Sequence, residues 1–198
     1  MEQKTPILTP QQKEFLDIVF EEKYLCKRFY LTGGTPLAAF YLYHRISEDI
    51  DLFCEEEINL LPIRASLGKV QKKLKLKKVD YRRFLGLHSF ELYFSEKEKL
   101  KVDFNYYPFP RIEKGIKYKN ISVDSIYDIA VNKVHTIAIN PRARDFIDIY
   151  FIIKEKGYSF KDLIDKAKFN WHIDPIQLGV AFTQAAELKD YPRMIKKN

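Results

Sequence analysis

One ordered constellation constrains this 198-residue chain more than any other: Gly33-Gly34-Thr35, then Asp49-Ile50-Asp51 fourteen residues on. Arg28 to Leu31 reads as a short strand running into the glycine turn, and Leu37 to Tyr43 has the apolar density of a buried helix. A strand, a glycine turn and a helix place backbone N–H groups and the Thr35 hydroxyl at a helix N-terminus, a favourable place for phosphate. Ser47 to Phe53 alternates, so Ser47, Asp49 and Asp51 share one side of a strand and Ile46, Ile50 and Leu52 the other. Carboxylates two residues apart on a strand lie about 7 Å apart, and such hard oxygen donors suit Mg²⁺.

Asp103, between Val102 and Phe104, points away from both apolar neighbours and can join the same face from another strand. Three carboxylates can hold two metal ions about 3.5–4 Å apart, one activating a nucleophile and one holding a triphosphate. Taken singly, a Gly-Gly is a turn, an Asp-x-Asp a solvated strand face, and Asp103 an edge carboxylate. The order and spacing of all three favour chemistry on phosphate.

The rest of the chain supplies the frame. Thr9 caps a helix with Pro10 in its first turn and Gln12 closing a capping box. Its apolar residues run from Phe15 to Leu25, and it ends near Tyr24. Asn59 caps a second helix to about Leu74, and strands follow at about 88–94 and 99–106. Beyond Tyr107-Pro108-Phe109-Pro110 the pattern is helical. Asp124 is the predicted N-cap of a helix through Ile139, and further helices span about 141–156, 159–168 and 175–188. The fold class is α+β: a small mixed sheet with flanking helices over residues 1–118, then a helical half over 119–198 packing on the cleft.

Composition narrows the surroundings. Hydrophobic residues at 46% and charged residues at 31% describe a folded chain. Cys26 and Cys54 lack metal-ligand spacing, and so do His44, His88, His135 and His172. Met1 to Pro10 has no leader character and no run reaches a membrane span, so a cytoplasmic protein without a membrane partner is expected. Lys and Arg number 34 against 27 acids, and the net charge of +7 favours polyanionic partners. From Arg64 to Arg83 there are nine cations and one acid, Asp80. That stretch reads either as a solvated helix face or as a landing strip for nucleic-acid phosphates. Tyr106 and Tyr107 either stack a base or pack on the helical half.

The motifs resemble a known family. The stretch from Leu31 to Ala38 and the stretch Arg45-Ile46-Ser47-Glu48-Asp49-Ile50-Asp51-Leu52-Phe53 are similar to the AbiEii/AbiGii abortive-infection toxins. Those toxins belong to the DNA polymerase β-like nucleotidyltransferase superfamily. The likeness extends to Val102-Asp103-Phe104, to Lys133, and to Arg144-Asp145-Phe146-Ile147-Asp148. It implies that the sheet half is a nucleotidyltransferase core, and that Gly33, Gly34 and Thr35 hold the β- and γ-phosphates. By the same resemblance, Asp49, Asp51 and Asp103 bind Mg²⁺ or Mn²⁺, with Asp103 also a base. Lys133 reaches the nucleotide phosphates, Asp145 sits near the reacting centre, and Arg45 and Ser47 shape the wall beside the acids. Thr35 stands where many superfamily members have Ser. Asn140 stands where many family members have Arg, with Arg142 close by.

In the helical half, Asp148 lies among Phe146, Ile147, Ile149 and Tyr150, so its carboxylate is expected to be buried and to need a partner. Arg144, one turn earlier, is the predicted partner in a fold-stabilising ion pair. A pairing of Asp145 and Asp148 that orients Lys133 is the other reading. The motifs of the resemblance span about residues 29 to 151, and the termini, including Trp171 to Asn198, add nothing to it. The resemblance implies an enzyme that moves an NMP group from an NTP to an acceptor, and a toxin with a cognate antitoxin acting in phage defence. The positive charge favours RNA, such as tRNA, as acceptor. The alternatives are a catalytically silent nucleotide- or RNA-binding module and a transferase modifying protein hydroxyls.

Overall fold

The computed structural model describes residues 7–196. Residues 1–6, part of the stretch expected to lack a leader, lie outside them, as do the last two. Helix α1 (Pro10–Val19) starts as its capping box requires: Gln12 N donates to the Thr9 hydroxyl at 3.1 Å and Thr9 N to Gln12 Oε1 at 2.9 Å. It stops at Val19 rather than near Tyr24, and a separate helix, α2 (Lys23–Arg28), takes up the remaining residues.

Strand β1 (Tyr30–Thr32) leads through Gly33 into a single turn, α3 (Gly34–Pro36), which continues as a π-helix over Leu37–Leu42. Strand β2 (Ile50–Cys54) follows, then α4 (Leu60–Lys73), capped by Asn59 as predicted. Strands β3 (Lys78–Phe84), β4 (Leu87–Tyr93) and β5 (Lys99–Tyr106) form an antiparallel meander. Two short strands, β6 (Lys117–Tyr118) and β7 (Ile121–Val123), complete a mixed seven-stranded sheet of order β3-β4-β5-β2-β1-β7-β6. The sheet thus takes in residues on both sides of position 118. β3 escapes the sequence reading because its Val79 and Tyr81 alternate with charged residues inside the basic stretch.

Alternation divides the sheet's central strands into two faces. Ile50 and Leu52 of β2, Val102 and Phe104 of β5, and Phe90 and Leu92 of β4 turn to one side. There they pack with Phe15, Leu16 and Val19 of α1 and Ile63, Leu67 and Val70 of α4. The opposite face carries the polar residues. Helices α5 (Ile126–Ile139), α6 (Ala143–Lys156), α7 (Phe160–Trp171) and α8 (Pro175–Gln184) build a second apolar cluster with Leu37 and Leu42 of the π-helix.

One helix cap is corrected. Ser125, not Asp124, caps α5, its hydroxyl accepting from Asp128 N at 2.9 Å, while Asp124 accepts the Thr32 hydroxyl at 2.6 Å. The C-terminal segment, which adds nothing to the family resemblance, contributes to the fold. Arg193 and Ile195 pair with the backbone of His44 and Ile46, and Asp190 Oδ1 accepts from Ala143 N at 3.0 Å, capping α6 from outside. No helix of the described residues is long and apolar enough to cross a membrane.

Candidate active site

Strand register assembles the site. Thr32 of β1 lies opposite Asp51 of β2, Asp51 opposite Asp103 of β5, and Asp103 opposite Ser89 of β4. Opposed residues point to the same face, so the four form one row across the sheet. Above that row a cleft of about 310 Å³ opens under α5 and the start of α6. Gly33, Gly34, Arg45, Ser47, Asp49, Asp51, Asp103 and Lys133 all line it.

The glycines are required by space. Gly33 has φ +80°, a conformation few other residues adopt, and a Cβ there would run into the Asp51 carboxylate. A Cβ on Gly34 would run into the Arg45 guanidinium and lie 2.9 Å from Ser47 Oγ. The backbone of the turn therefore lies directly against the acidic strand.

The acids are held unequally. Asp103 is buried and accepts from Ser89 Oγ and Lys101 Nζ, each at 2.6 Å. Asp49, just before β2, faces Arg144 at 3.8 Å. Asp51 has no side-chain hydrogen bond or ion pair among the described residues, and burial together with Asp103 and Asp49 pushes its carboxyl up to about 6. No three acidic, His or Cys side chains among the described residues are placed to enclose a metal ion as they stand. The donor chemistry nevertheless fits a hard divalent cation: carboxylate oxygens from adjacent strands, with a surplus of negative charge at Asp51.

Across the cleft, Lys133 of α5 is buried, donates to Asp145 at 2.5 Å and forms an ion pair with Asp148 at 2.8 Å. Arg142 Nε binds the other Asp145 oxygen at 2.8 Å. Asp145 itself is fully buried beneath Lys133 and does not reach the cleft surface. Arg144 is not the partner of Asp148. Its partners are Arg45, whose Nε and Nη2 bind the two oxygens at 2.6 and 2.8 Å, and His44 at 2.7 Å. Burial alone would raise the Asp148 carboxyl, but Lys133, Arg45 and His44 hold it well below the usual carboxylate range.

Thr35 departs from its expected place at the phosphates. It is buried, does not line the cleft, and donates its hydroxyl to the Asp49 carbonyl, fixing the start of the acidic strand. Lys101, Asn105, Asn132 and Arg144 line the cleft without being singled out in the sequence as parts of a site. Lys101 and Asn105 share the alternation of Asp103 and were findable from it. Asn132 and Arg144 needed the helix packing. At the far end of the cleft, Tyr107 packs against Phe53 and Trp171 and donates to Asn132 Oδ1 at 2.9 Å, as packing on the helical half would have it.

A glycine turn set against a strand of acids, roofed by a helical half that presents a lysine, defines a nucleotidyltransferase. Residues 14–195 match the family described as nucleotidyl transferase AbiEii toxin, type IV TA system. The chain belongs to that family, which makes it a nucleotidyltransferase of the toxin–antitoxin class with a nucleotide substrate and an antitoxin partner. It is 29% identical over 160 residues to an uncharacterised protein of Aquifex aeolicus, covering 79% of this chain and 72% of that one. Its fold is similar to that of JHP933 from Helicobacter pylori, with TM-score 0.58 at 19% identity over 95% of this chain and 94% of that one. It is also similar to MenT4, a nucleotidyltransferase toxin from Mycobacterium tuberculosis, with TM-score 0.52 at 14% identity over 78% of this chain and 60% of that one.

Proposed function

We propose that this protein transfers an NMP group from an NTP to a hydroxyl of RNA, such as tRNA, in a reaction dependent on Mg²⁺ or Mn²⁺. On this reading it acts in the cytoplasm as the toxin of a phage-defence pair. The single observation that carries the proposal is the shared row of Thr32, Asp51 and Asp103, which brings the glycine turn and two acids into one cleft facing Lys133.

Asp49, Asp51 and Asp103 are the residues that would hold the metal. A bound divalent ion supplies charge neutralisation on the phosphates and activates the attacking oxygen. The backbone N–H groups at Gly33 and Gly34 receive the terminal phosphates. Lys133 has three N–H donors, one directed at Asp145, and it also lies at ion-pair distance from Asp148, which leaves at least one donor for a phosphate. Asp145 is a positioning residue that acts through Lys133, and Arg142 adds positive charge at the cleft wall. The acceptor oxygen attacks the α-phosphorus in line, its proton passes to Asp103, and the bond to the β-phosphate oxygen breaks to release pyrophosphate. Catalysis rests on positioning and charge stabilisation.

The test incubates the protein with each α-labelled NTP, Mg²⁺ or Mn²⁺, and total RNA, with Asp51→Asn as control. Label in a discrete RNA band that the control loses supports the proposal. Label transferred equally by a folded Asp51→Asn variant overturns the metal assignment, and label on protein alone overturns the RNA acceptor.

A further inference from the structure

The basic stretch from Arg64 to Arg83 is split by the fold. Its helical part belongs to α4, on the side of the sheet away from the cleft, and much of its charge is spent locally. Lys69 pairs with Glu22 at 2.5 Å, Lys73 with Glu21 at 3.9 Å, and the Arg64 guanidinium lies over the Tyr81 ring at 5.2 Å. Lys78, at the start of β3, pairs with Asp80 at 2.7 Å. Arg82 and Arg83 differ. Both are exposed, and neither has a carboxylate partner within ion-pair distance among the described residues.

These two arginines precede the tip of the β3–β4 hairpin, where Phe84 is 72% and Leu85 79% exposed. Leu85 holds φ +49°, a left-handed conformation that costs a leucine about 1 kcal/mol or more. The tip is nonetheless fixed, because Tyr106 N donates to Gly86 O at 3.0 Å and ties it to the end of β5. Two exposed apolar side chains thus sit at the tip beside two guanidinium groups that have no carboxylate partner among the described residues, Arg83 Nε donating only to the Leu85 carbonyl at 3.4 Å.

Register gives the tip its relation to the cleft. Arg82 lies opposite Ser89, which lies opposite Asp103. Arg82 therefore extends the row of cleft acids, two strands or about 10 Å from Asp103. Phe84 likewise extends the row through Leu87 to Asn105 and Phe53, both of which line the cleft. Among the described residues, the apolar cluster of the C-terminal helices takes in none of β3 or β4, so that cluster does not cover this part of the cleft face.

We propose that the cleft-side face of the β3–β4 hairpin docks the single-stranded end of the polynucleotide that accepts the nucleotide. The inference rests on the nucleotidyltransferase reading above and deepens it. Arg82 grips a backbone phosphate one or two nucleotides from the reacting hydroxyl, and Phe84 offers its ring to an unpaired base. An exposed aromatic on the same face as a guanidinium without a carboxylate partner is the chemistry that single strands need, stacking plus phosphate attraction.

The experiment compares the full-length protein with Arg82→Ala, Phe84→Ala and, on the far side of the sheet, Lys72→Ala. All three side chains are exposed, so the variants are expected to fold. RNA labelling should fall about 10-fold in the two hairpin variants, and for Arg82→Ala the slope of log activity against log salt should drop by about 0.7. NTP binding by calorimetry should stay within twofold, and Lys72→Ala should match wild type. RNA labelling that survives in both hairpin variants overturns the docking surface and leaves the reaction standing, as does an equal loss in Lys72→Ala. Wild-type protein that binds NTP but labels only protein overturns the RNA acceptor and the docking surface together. Failure of the wild type to bind NTP overturns the nucleotidyltransferase assignment of the cleft.

Discussion

Two groups of carboxylates, one lining the cleft and one buried behind its wall, are treated in opposite ways. Asp51 sits beside Asp103 and Asp49 with no cation of its own, and its carboxyl is pushed up to about 6. Asp148 sits in full burial among Arg45, Lys133 and His44 and is held well below the usual range. The first group is short of positive charge and the second is saturated with it. A saturated cluster fixes geometry, because removing one member strands the others. An unsatisfied cluster on a preformed sheet has stability to gain from a ligand, and that is where binding free energy is available. The Asp148 cluster ties the His44–Arg45 segment to α5 and α6, while its Lys133 also faces the cleft, so the two groups meet at that ammonium.

The sharpest way to break the comparison is substitution at Asp51. Asp51→Asn should lower nucleotide transfer by at least about 100-fold, as expected for loss of a metal-holding carboxylate, while the melting temperature stays level or rises. A parallel fall in activity and melting temperature would put Asp51 in the structural group. Asp148→Asn should do the reverse and destabilise the fold by about 3–5 kcal/mol, because buried cations lose their counter-charge. Urea unfolding checks it, and a loss below 1 kcal/mol on the scale of exposed pairs would contradict the saturated reading.

Lys133→Met tests the point where the groups meet. Arg142 still serves Asp145 and Arg45 still serves Asp148, so stability should fall by only about 1–3 kcal/mol while NTP affinity falls about 10-fold or more. Calorimetric titration with NTP reads the second effect directly.

The smallest effect concerns pH. Burial pushes the Asp124 carboxyl up to about 7, opposed by the Thr32 hydroxyl that donates to it. Between its unfolded value near 4 and about 7 the folded state binds the proton more tightly, so this group's contribution to stability is lost as pH rises through that window, at up to about 1.4 kcal/mol per pH unit. Asp124→Asn should flatten the decline measured by chemical unfolding at pH 5, 6 and 7. An unchanged slope would remove Asp124 as its source.

Much of this is legible in the sequence. Thr9 and Asn59 cap their helices because a hydroxyl or amide oxygen before an apolar run satisfies backbone donors that would otherwise be orphaned. The common face of Asp51 and Asp103 follows from strand alternation and needs no knowledge of the partner strand. Asp49 and Ser47 fall short of the strand predicted for them. β1 ends at the glycine turn, and their carbonyls are taken by Thr35 and by Gln12 rather than by a ladder. The sequence points to Arg144 as the partner of Asp148 because it is the neighbour along the helix, whereas the partner in the fold, Arg45, is 103 residues away and approaches from another element.

The sequence alone determined the helix starts, the two-faced strands, the glycine turn against an acidic strand, and the resemblance those motifs carry. These depend on backbone periods of 2 and 3.6 residues and on orphaned groups within a few positions. Only the tertiary structure decided which acids are saturated and which are left short, that Thr35 serves the backbone, that Asp190 caps a helix from the far end of the chain, and that the basic stretch divides between two sides of a sheet. Each of those depends on strand register and on the closure of distant elements, where the energy of a charge is set by what the fold brings to it.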